Sequence, residues 1–293
     1  MKNFLLYFYK INVENIFQIN KNMYRIKHNN NYYIIEKFEN NLENIQKIES
    51  AYNISINLKN KLINSFMLNI DNQIMTYYDK EIYILLKVTN NYNKKIKLID
   101  IINYDQKIIS NVLSKQNNWK ELWCKKIDYF EYQVNQFGLK YPIIRESFSY
   151  FDGTSETAIQ LLNEIENNDL YISHRRLTYN STYYDLYNPF NLILDSRVRD
   201  IATYIKTGIY KNKIKISEMI SFLNEPILTQ NEKILLFIRM IYPSEYYDIY
   251  EKIISSEVDE SILKKYIENI NKYETILKEL NKYLNFNIEW LKN

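Results

Sequence analysis

The sequence predicts an α+β fold of two lobes, a small antiparallel-sheet lobe over residues 1–90 and a larger, mainly helical lobe over residues 91–293. Two observations lead to this prediction. Short β-branched and aromatic runs separated by Asn-rich turns fill the first lobe, whereas apolar residues recur every three to four positions in most of the second. A chain of 293 residues can bury a sizeable core, and it contains no internal repeat.

Six strands and one helix are predicted for the first lobe. The strands cover residues 17–20, 23–27, 32–38, 65–70, 73–77 and 82–88, and the helix covers residues 42–52. His28–Asn31 is expected to be a hairpin loop, because Asn tolerates the left-handed backbone of tight turns. Asp71 and Asn72 are expected to join the fourth and fifth strands as a second hairpin.

Helices are predicted for most of the second lobe. The first spans Asn111 to Phe137 and ends at Gly138; the next spans 155–165, with Thr154 or Ser155 as its cap after an Asp152-Gly153 turn. An irregular segment covers residues 170–199. The remaining helices are predicted at 199–206, 217–224, 230–241, 245–255 and 261–291.

Composition excludes several classes of function. Lys and Arg (38) nearly balance Asp and Glu (35), so no basic surface for nucleic acid is expected. The single cysteine, Cys124, excludes an intrachain disulfide and is expected to be a buried, unreactive thiol. The sequence contains no run of about 18 apolar residues, so no membrane span is predicted. It has neither a zinc cluster nor a P-loop. We therefore expect a soluble, cytoplasmic protein.

The most informative segments lie between residues 165 and 206. They are Tyr171-Ile-Ser-His-Arg-Arg-Leu-Thr-Tyr-Asn180, then the apolar strand Leu192-Ile-Leu-Asp195, then Arg199-Asp-Ile-Ala202. This stretch resembles the catalytic and metal-binding segments of the aminoglycoside-phosphotransferase and choline-kinase branch of kinases, and of spore-coat-associated proteins of the CotS and YutH type. The rest of the chain resembles them more loosely, and the resemblance implies a protein-kinase-like fold.

In that family, a His-Gly-Asp-Leu/Tyr-x-x-x-Asn loop supplies the base and a metal ligand. His174 and Leu177 match this motif, but Arg175 and Arg176 stand where the family has Gly and Asp. An arginine cannot accept a proton from the nucleophile hydroxyl. His174 is expected to hold the loop through hydrogen bonds. The resemblance therefore implies a degenerate catalytic loop.

The metal ligands implied by the resemblance are only partly present. The loop Asn position falls on Ser181, with Asn180 one residue early. Asp195 resembles the family's metal-binding aspartate, and Asp185 is a competing candidate and a candidate base. Asp200 resembles the aspartate that supports the catalytic loop, or else caps a helix.

Two interpretations of the arginines in this region remain open. They either form a structural network with the carboxylates or, because arginine binds phosphate well, an anion site. The network would join Arg175, Arg176, Arg197 and Arg199 to Asp185, Asp195 and Asp200.

The first lobe offers weaker candidates for holding a nucleotide. A kinase places a strand lysine on the phosphates and a helix carboxylate beside it. Lys37 is the candidate lysine, and Glu43 or Glu49 the candidate carboxylate; an exposed edge lysine is the alternative. Strand alternation allows Glu36 or Lys37 to face the cleft, but not both. A glycine-rich phosphate loop is absent, because the first glycine is Gly138.

The resemblance implies ATP and Mg²⁺ as cofactors of an active member. Arg176 instead favours a pseudokinase from a low-GC Gram-positive bacterium, with a binding or structural role and a protein partner in a spore coat or similar assembly. The alternatives are an active small-molecule phosphotransferase whose base lies elsewhere, for which Asp185 is the candidate, and an unrelated α+β interaction protein.

Overall fold

The computed structural model describes residues 1–58, 62–104, 107, 112–165 and 169–292. The chain divides into two compact units. The first consists of Met1–Ile101, Ile108–Ser114 and His174–Ile193, and the second of Ile102–Lys107, Lys115–Ser173 and Leu194–Asn293.

The first unit is built on an antiparallel sheet. Its strands follow the order β1-β2-β3-β6-β4, and β5 also pairs with β6. The elements up to residue 88 are α1 (Lys2–Tyr9), β1 (Ile16–Asn20), β2 (Met23–His28), β3 (Asn31–Glu39), α2 (Leu42–Asn57), β4 (Ser65–Met67), β5 (Thr76–Tyr78) and β6 (Glu81–Val88).

The remaining elements are mainly helical. They are α3 (Leu98–Tyr104), α4 (Trp119–Phe137), α5 (Pro142–Leu162), β7 (Tyr171–His174), α6 (Tyr183–Leu186), β8 (Leu192–Asp195), α7 (Val198–Tyr210), α8 (Ile216–Asn224), α9 (Gln230–Ile241), α10 (Ser244–Ile254), α11 (Ile262–Ile267), α12 (Ile270–Tyr283) and a 3-10 turn, Glu289–Leu291. Strands β7 and β8 form a separate two-stranded sheet. None of the described helices combines the length and apolarity of a membrane span.

The β2–β3 hairpin confirms the predicted turn. Asn29 and Asn30 are its two loop residues, with φ of 47° and 61°, and His28 pairs with Asn31 across it. Two consecutive left-handed residues match the right-handed twist of the flanking strands, which is why Asn is favoured there.

Strand β3 packs both of its faces. Tyr33 and Ile35 belong to a cluster with Phe4 and Leu5 of α1. Ile34, on the other face, belongs to a cluster with Ile48 of α2. Side chains alternate along a strand, so Glu36 shares the face of Ile34 and lies toward α2.

The predicted hairpin between the fourth and fifth strands is wrong. Both β4 and β5 pair with β6 instead of with each other. Asn69 organises the connection, because its Oδ1 accepts hydrogen bonds from the backbone N–H of Asp71 and of Gln73 at 3.0 and 2.9 Å. This Asx turn redirects the chain before β5.

The predicted turn at Asp152-Gly153 is also wrong. Helix α5 begins at Pro142 and runs through both residues without a break. Proline suits the first helical turn, because its missing N–H would have no partner there. Ser155 does not cap the helix; its hydroxyl donates to the Phe151 carbonyl at 2.7 Å within it.

Other helix boundaries differ from the prediction in smaller ways. Helix α4 begins at Trp119, and residue 111, where the predicted helix started, lies outside the described residues. The predicted 261–291 helix is divided into α11, α12 and the 3-10 turn. Helix α1 was not predicted. Cys124 is half-buried rather than buried.

Tyrosines fill much of the core of the second unit. Their rings are buried, and their hydroxyls reach polar partners: Tyr246 pairs with Ser147 at 3.1 Å, and Tyr247 with Ser155 at 2.8 Å. A buried ring with a bonded hydroxyl can replace an aliphatic core residue at little polar cost.

Candidate functional site

The loop after β7 is held by hydrogen bonds to its own unit. His174 is buried, and its Nε2 bonds the Leu186 carbonyl at 2.9 Å, so this nitrogen carries the proton. The backbone N–H of Arg175 donates to the Asn191 carbonyl at 2.7 Å. These bonds fix the backbone at the position where the family carries Gly and Asp.

The side chains of this loop offer no base at position 176. Arg176 is exposed, and its guanidinium cannot accept a proton. The Ser181 hydroxyl accepts from the Thr178 backbone N–H at 2.9 Å, and Asn180 Oδ1 accepts from Lys95 Nζ at 3.2 Å. The side-chain oxygens of Ser181 and Asn180, at the expected position of a metal ligand, therefore accept hydrogen bonds from groups of the first unit.

Asp185 supports the local helix. Its carboxylate accepts hydrogen bonds from the backbone N–H and the hydroxyl of Thr182, at 2.7 and 3.1 Å. Together the two residues form a capping box at the start of α6, which satisfies otherwise unpaired N–H groups. This helical role occupies one of the two carboxylate oxygens of Asp185.

Asp195 ends β8 as a fully buried carboxylate in the second unit. Its Oδ1 accepts from Trp119 Nε1 at 2.8 Å and from the Ser196 backbone N–H at 2.7 Å, and its Oδ2 accepts from Arg199 Nη1. Arg199 lies one helical turn later, so the two residues form an i,i+4 ion pair. The predicted structural pairing is confirmed for Arg199 and Asp195.

Two arginines, Arg199 and Arg239, lie near the buried Asp195 carboxyl. Burial raises the pKa of the Asp195 carboxyl, while the nearby Arg199 and Arg239 oppose the rise. Arg239 stacks over the Trp119 ring at 4.9 Å, and burial lowers its pKa to about 10. A buried carboxylate needs such partners, and here arginines supply the positive charge.

Asp200, the remaining predicted aspartate, lies buried in the first turn of α7. Its proposed support of the loop stays a prediction. Arg197 Nε lies 3.8 Å from Glu232 Oε1. Within the described ranges, no group of three or more His, Cys, Asp and Glu is arranged to hold a metal ion.

The expected pairing of Lys37 with a carboxylate of α2 is absent. Lys37 lies on the α1 side of β3, and its Nζ contacts Glu81 Oε1 of the neighbouring strand β6 at 3.3 Å. This hydrogen bond raises the pKa of Lys37. Glu49 and Glu43 are exposed on α2, the helix that lies against the opposite face of β3. Strand alternation separates the lysine from them.

Glu36 occupies the β3 position that faces α2. The Tyr184 hydroxyl donates to Glu36 Oε1, and the charge of Lys47 on α2 favours the ionised carboxyl. Burial nonetheless raises the pKa of Glu36 to about 7. Kinases place the lysine on the strand and the carboxylate on the helix, so the signs are reversed here. Lys47 is a residue that the sequence interpretation missed; the alternation at Glu36 was the available signal.

These residues do not fit a nucleotide with magnesium. Mg²⁺ requires carboxylate oxygens that are free to bind it, whereas both oxygens of Asp195 accept bonds from protein groups. A carboxylate on β3 repels phosphate where a lysine would attract it. No glycine precedes Gly138 to form a phosphate loop.

The sheet unit and the helical unit define a kinase-like fold of the aminoglycoside-phosphotransferase type. The fold is similar to an aminoglycoside phosphotransferase from Alicyclobacillus acidocaldarius, with a TM-score of 0.59, 9% identity and 93% of each chain covered. It is also similar to choline kinase LicA from Streptococcus pneumoniae, with a TM-score of 0.53, 10% identity, and 93% of this chain and 96% of that chain covered. The predicted fold class is therefore confirmed.

Residues 2–285 match the family described as "Spore coat putative kinase YutH", and the chain belongs to that family. A curated relative is the "Endospore coat-associated protein YutH" of Bacillus subtilis, 27% identical over 198 residues. That alignment covers 59% of this chain and 58% of the relative. The alternative of an unrelated protein with an accidental resemblance is wrong.

Proposed function

We propose that this chain is a pseudokinase, a kinase-fold protein that has a binding or structural role and does not transfer phosphate. The observation that carries the proposal is the buried ion pair between Asp195 and Arg199. A carboxylate whose charge is neutralised by a neighbouring guanidinium has little to gain from a metal ion, and removing it from that partner costs several kcal/mol.

Two further replacements support the same conclusion. Arg176 stands where a base would accept the proton of the nucleophile. Glu36 stands on the strand face where phosphate transfer needs a positive charge. Asp195, Arg176 and Glu36 lie on different segments and bear on different steps: metal binding, proton transfer and phosphate positioning.

The partner that we propose is a protein of a spore coat. The curated relative is named an endospore coat-associated protein, and a fold without phosphotransfer retains surfaces for protein contacts. Extraction of coat proteins from purified spores of the source organism tests this location. The proposal predicts the chain in the coat extract; its recovery only from the soluble core would contradict it.

The competing function is an active small-molecule phosphotransferase that uses ATP and Mg²⁺, with Asp185 as its base. The fold itself favours this alternative, since the similar structures include a phosphotransferase and a choline kinase. Against it, Asp185 Oδ2 is already bonded to Thr182 in the capping box.

A turnover assay separates the two functions. Purified protein is incubated with ATP, Mg²⁺ and a panel of aminoglycosides, amino alcohols and sugars, and ADP release is measured. The proposal predicts ADP release at the level of Asp195→Ala and Asp185→Ala variants. Release by the wild-type protein that either substitution abolishes would establish the phosphotransferase instead.

A further inference from the structure

The first unit contains a large cavity beside Lys47 and Arg175. Its volume is about 660 Å³, within the range of small-molecule sites. All of its lining residues belong to the first unit. They are Glu43, Lys47, Ser50, Ala51 and Ile54 of α2, then Val112, Leu113 and Ser114, and then Arg175, Pro189, Phe190, Asn191 and Leu192.

One face of α2 forms a wall of this cavity. Glu43, Lys47, Ser50 and Ile54 follow the spacing of three to four residues that places side chains on one side of a helix. Ile48, on a different side of α2, packs against the sheet. The helix is therefore fixed by its apolar side, and a polar side remains directed into the cavity.

Arg175 supplies a positive charge at the cavity. Its backbone N–H donates to the Asn191 carbonyl at 2.7 Å, which joins two segments that line the cavity. The side chain is exposed, and in the described part of the chain its guanidinium has neither a hydrogen-bond acceptor nor a carboxylate partner. The forked N–H donors of a guanidinium are suited to bind carboxylate, sulfonate or phosphate oxygens.

Lys47 supplies the second positive charge. Its ammonium lies 5.8 Å from the centre of the Phe38 ring and 6.0 Å from that of Phe190. Contact with two rings favours the ammonium near the cavity wall, by cation–π attraction. Glu43 lines the cavity one turn earlier, and Glu36 interacts with Lys47 from the strand side.

The remaining wall is apolar. Ala51, Leu113 and Leu192 are 1%, 4% and 2% exposed, and Phe190 adds an aromatic surface. The lining carries two cations, Lys47 and Arg175, and one carboxylate, Glu43, so its surplus of one positive charge is too small for a triphosphate. The cavity instead suits a ligand that has a single anionic group beside an apolar body.

We propose that this cavity binds a small organic monoanion. Arg175 pairs with the anionic group, Lys47 adds to the attraction, and the apolar body lies against Ala51, Leu113, Phe190 and Leu192. The site belongs to the first unit alone and needs neither nucleotide nor Mg²⁺. Its existence is therefore independent of whether the protein transfers phosphate.

A pair of matched dyes tests the site. Anilinonaphthalene sulfonate is an apolar anion that fluoresces in apolar surroundings, and N-phenylnaphthylamine has the same rings without the sulfonate. We expect saturable binding of one sulfonate dye per chain. Arg175→Gln should weaken its binding about tenfold, the loss of one charge-assisted contact, and leave the neutral dye unaffected. Arg145→Gln, at an exposed arginine of α5, should change neither affinity.

A steric variant checks that the dye occupies the cavity. Ser50→Trp places a large ring into the cavity from an exposed helical position and should abolish binding, whereas Gln46→Trp, outside the lining, should retain it. Circular dichroism confirms that each variant is folded. Sulfonate binding that survives Ser50→Trp, equal loss of both dyes in Arg175→Gln, or no saturable binding by the wild type would each overturn the proposal.

Discussion

Two carboxyl groups, Glu36 and Asp195, underlie the proposed loss of phosphotransfer. Asp195 forms an ion pair with Arg199 and accepts hydrogen bonds from Trp119 and the Ser196 backbone N–H. Glu36 is partly buried, with a pKa near neutrality. Each carboxyl group thus interacts with a side chain of the protein.

Glu36 makes stability depend on pH. Its pKa is raised from 4.5 to about 7 in the folded protein, so the folded state holds the proton more tightly than the unfolded state. The contribution of Glu36 to the free energy of unfolding is fully present below about pH 4.5 and is lost as the pH rises through 7. Between pH 4.5 and 7.5, the free energy of unfolding measured in urea should fall by about 2 kcal/mol more for the wild type than for Glu36→Gln.

The matched control for this experiment is Glu49→Gln, at an exposed glutamate of α2. Its free energy of unfolding should follow the wild-type pH dependence. If the free energy of unfolding depended on pH in the same way for the wild type and Glu36→Gln, the Glu36 carboxyl would have the same pKa in the folded and unfolded chain, and the prediction would be wrong.

Removing the Asp195 carboxylate should destabilise the fold whether or not magnesium is present. Asp195→Ala leaves Arg199 and Trp119 Nε1 without their acceptor in a buried environment, and the expected loss is about 3 to 5 kcal/mol. Asp128→Ala, at an exposed aspartate of α4, should change the free energy of unfolding by less than about 0.5 kcal/mol. Stabilisation of the wild type, but not of Asp195→Ala, by added Mg²⁺ would contradict the structural role.

At the scale of secondary-structure elements, helix α5 is the clearest departure from the sequence interpretation. Asp152-Gly153 is a typical turn dipeptide, yet the helix continues through it because its apolar face packs on both sides of the pair. Phe148, Phe151, Ala158 and Leu162 are all buried. Tertiary packing has outweighed the local preference of glycine, which costs about 1 kcal/mol in a helix.

Because α5 is continuous at Gly153, alanine substitutions at two glycines, Gly153 and Gly138, should change the free energy of unfolding in opposite directions. A Cβ added at Gly153 meets nothing within 4 Å, so Gly153→Ala should stabilise the protein by about 0.5 to 1 kcal/mol. A Cβ at Gly138 lies 2.5 Å from the Val134 carbonyl oxygen, so Gly138→Ala should destabilise it. Thermal unfolding of both variants measures the difference. Destabilisation by Gly153→Ala would argue for a turn at that position.

The sequence predicted those elements that local chemistry specifies. The Asn29-Asn30 turn followed from residues that accept positive φ, and the longer helices followed from apolar spacing. The pairing of β4 and β5 with β6 could not be predicted, because short strands do not identify their partners. The lobe boundary after residue 90 stays a prediction.

The candidate site was predictable to the same limited degree. The motif located His174 and Asp195, and Arg199 lies only four positions after Asp195, but other hydrogen-bond partners come from elements distant in sequence. Trp119 reaches Asp195 across 76 positions, and Tyr184 reaches Glu36 across 148. Which face of β3 lay toward α2 was not evident from alternation alone, so the choice between Glu36 and Lys37 required the structure.

At the scale of the whole molecule, the chain combines a kinase-like fold with site residues that, as we propose, do not hold nucleotide. Family membership covers residues 2–285, so nearly the whole chain shares this ancestry. Fold does not determine function, and the residues at the site favour binding over transfer.

Titration calorimetry with ATP, in the presence and absence of Mg²⁺, measures whether the protein holds nucleotide. We expect no saturable heat in either condition for the wild-type protein. Saturable binding that requires Mg²⁺ and disappears in Asp195→Asn, a variant that keeps the shape of the side chain, would contradict this expectation.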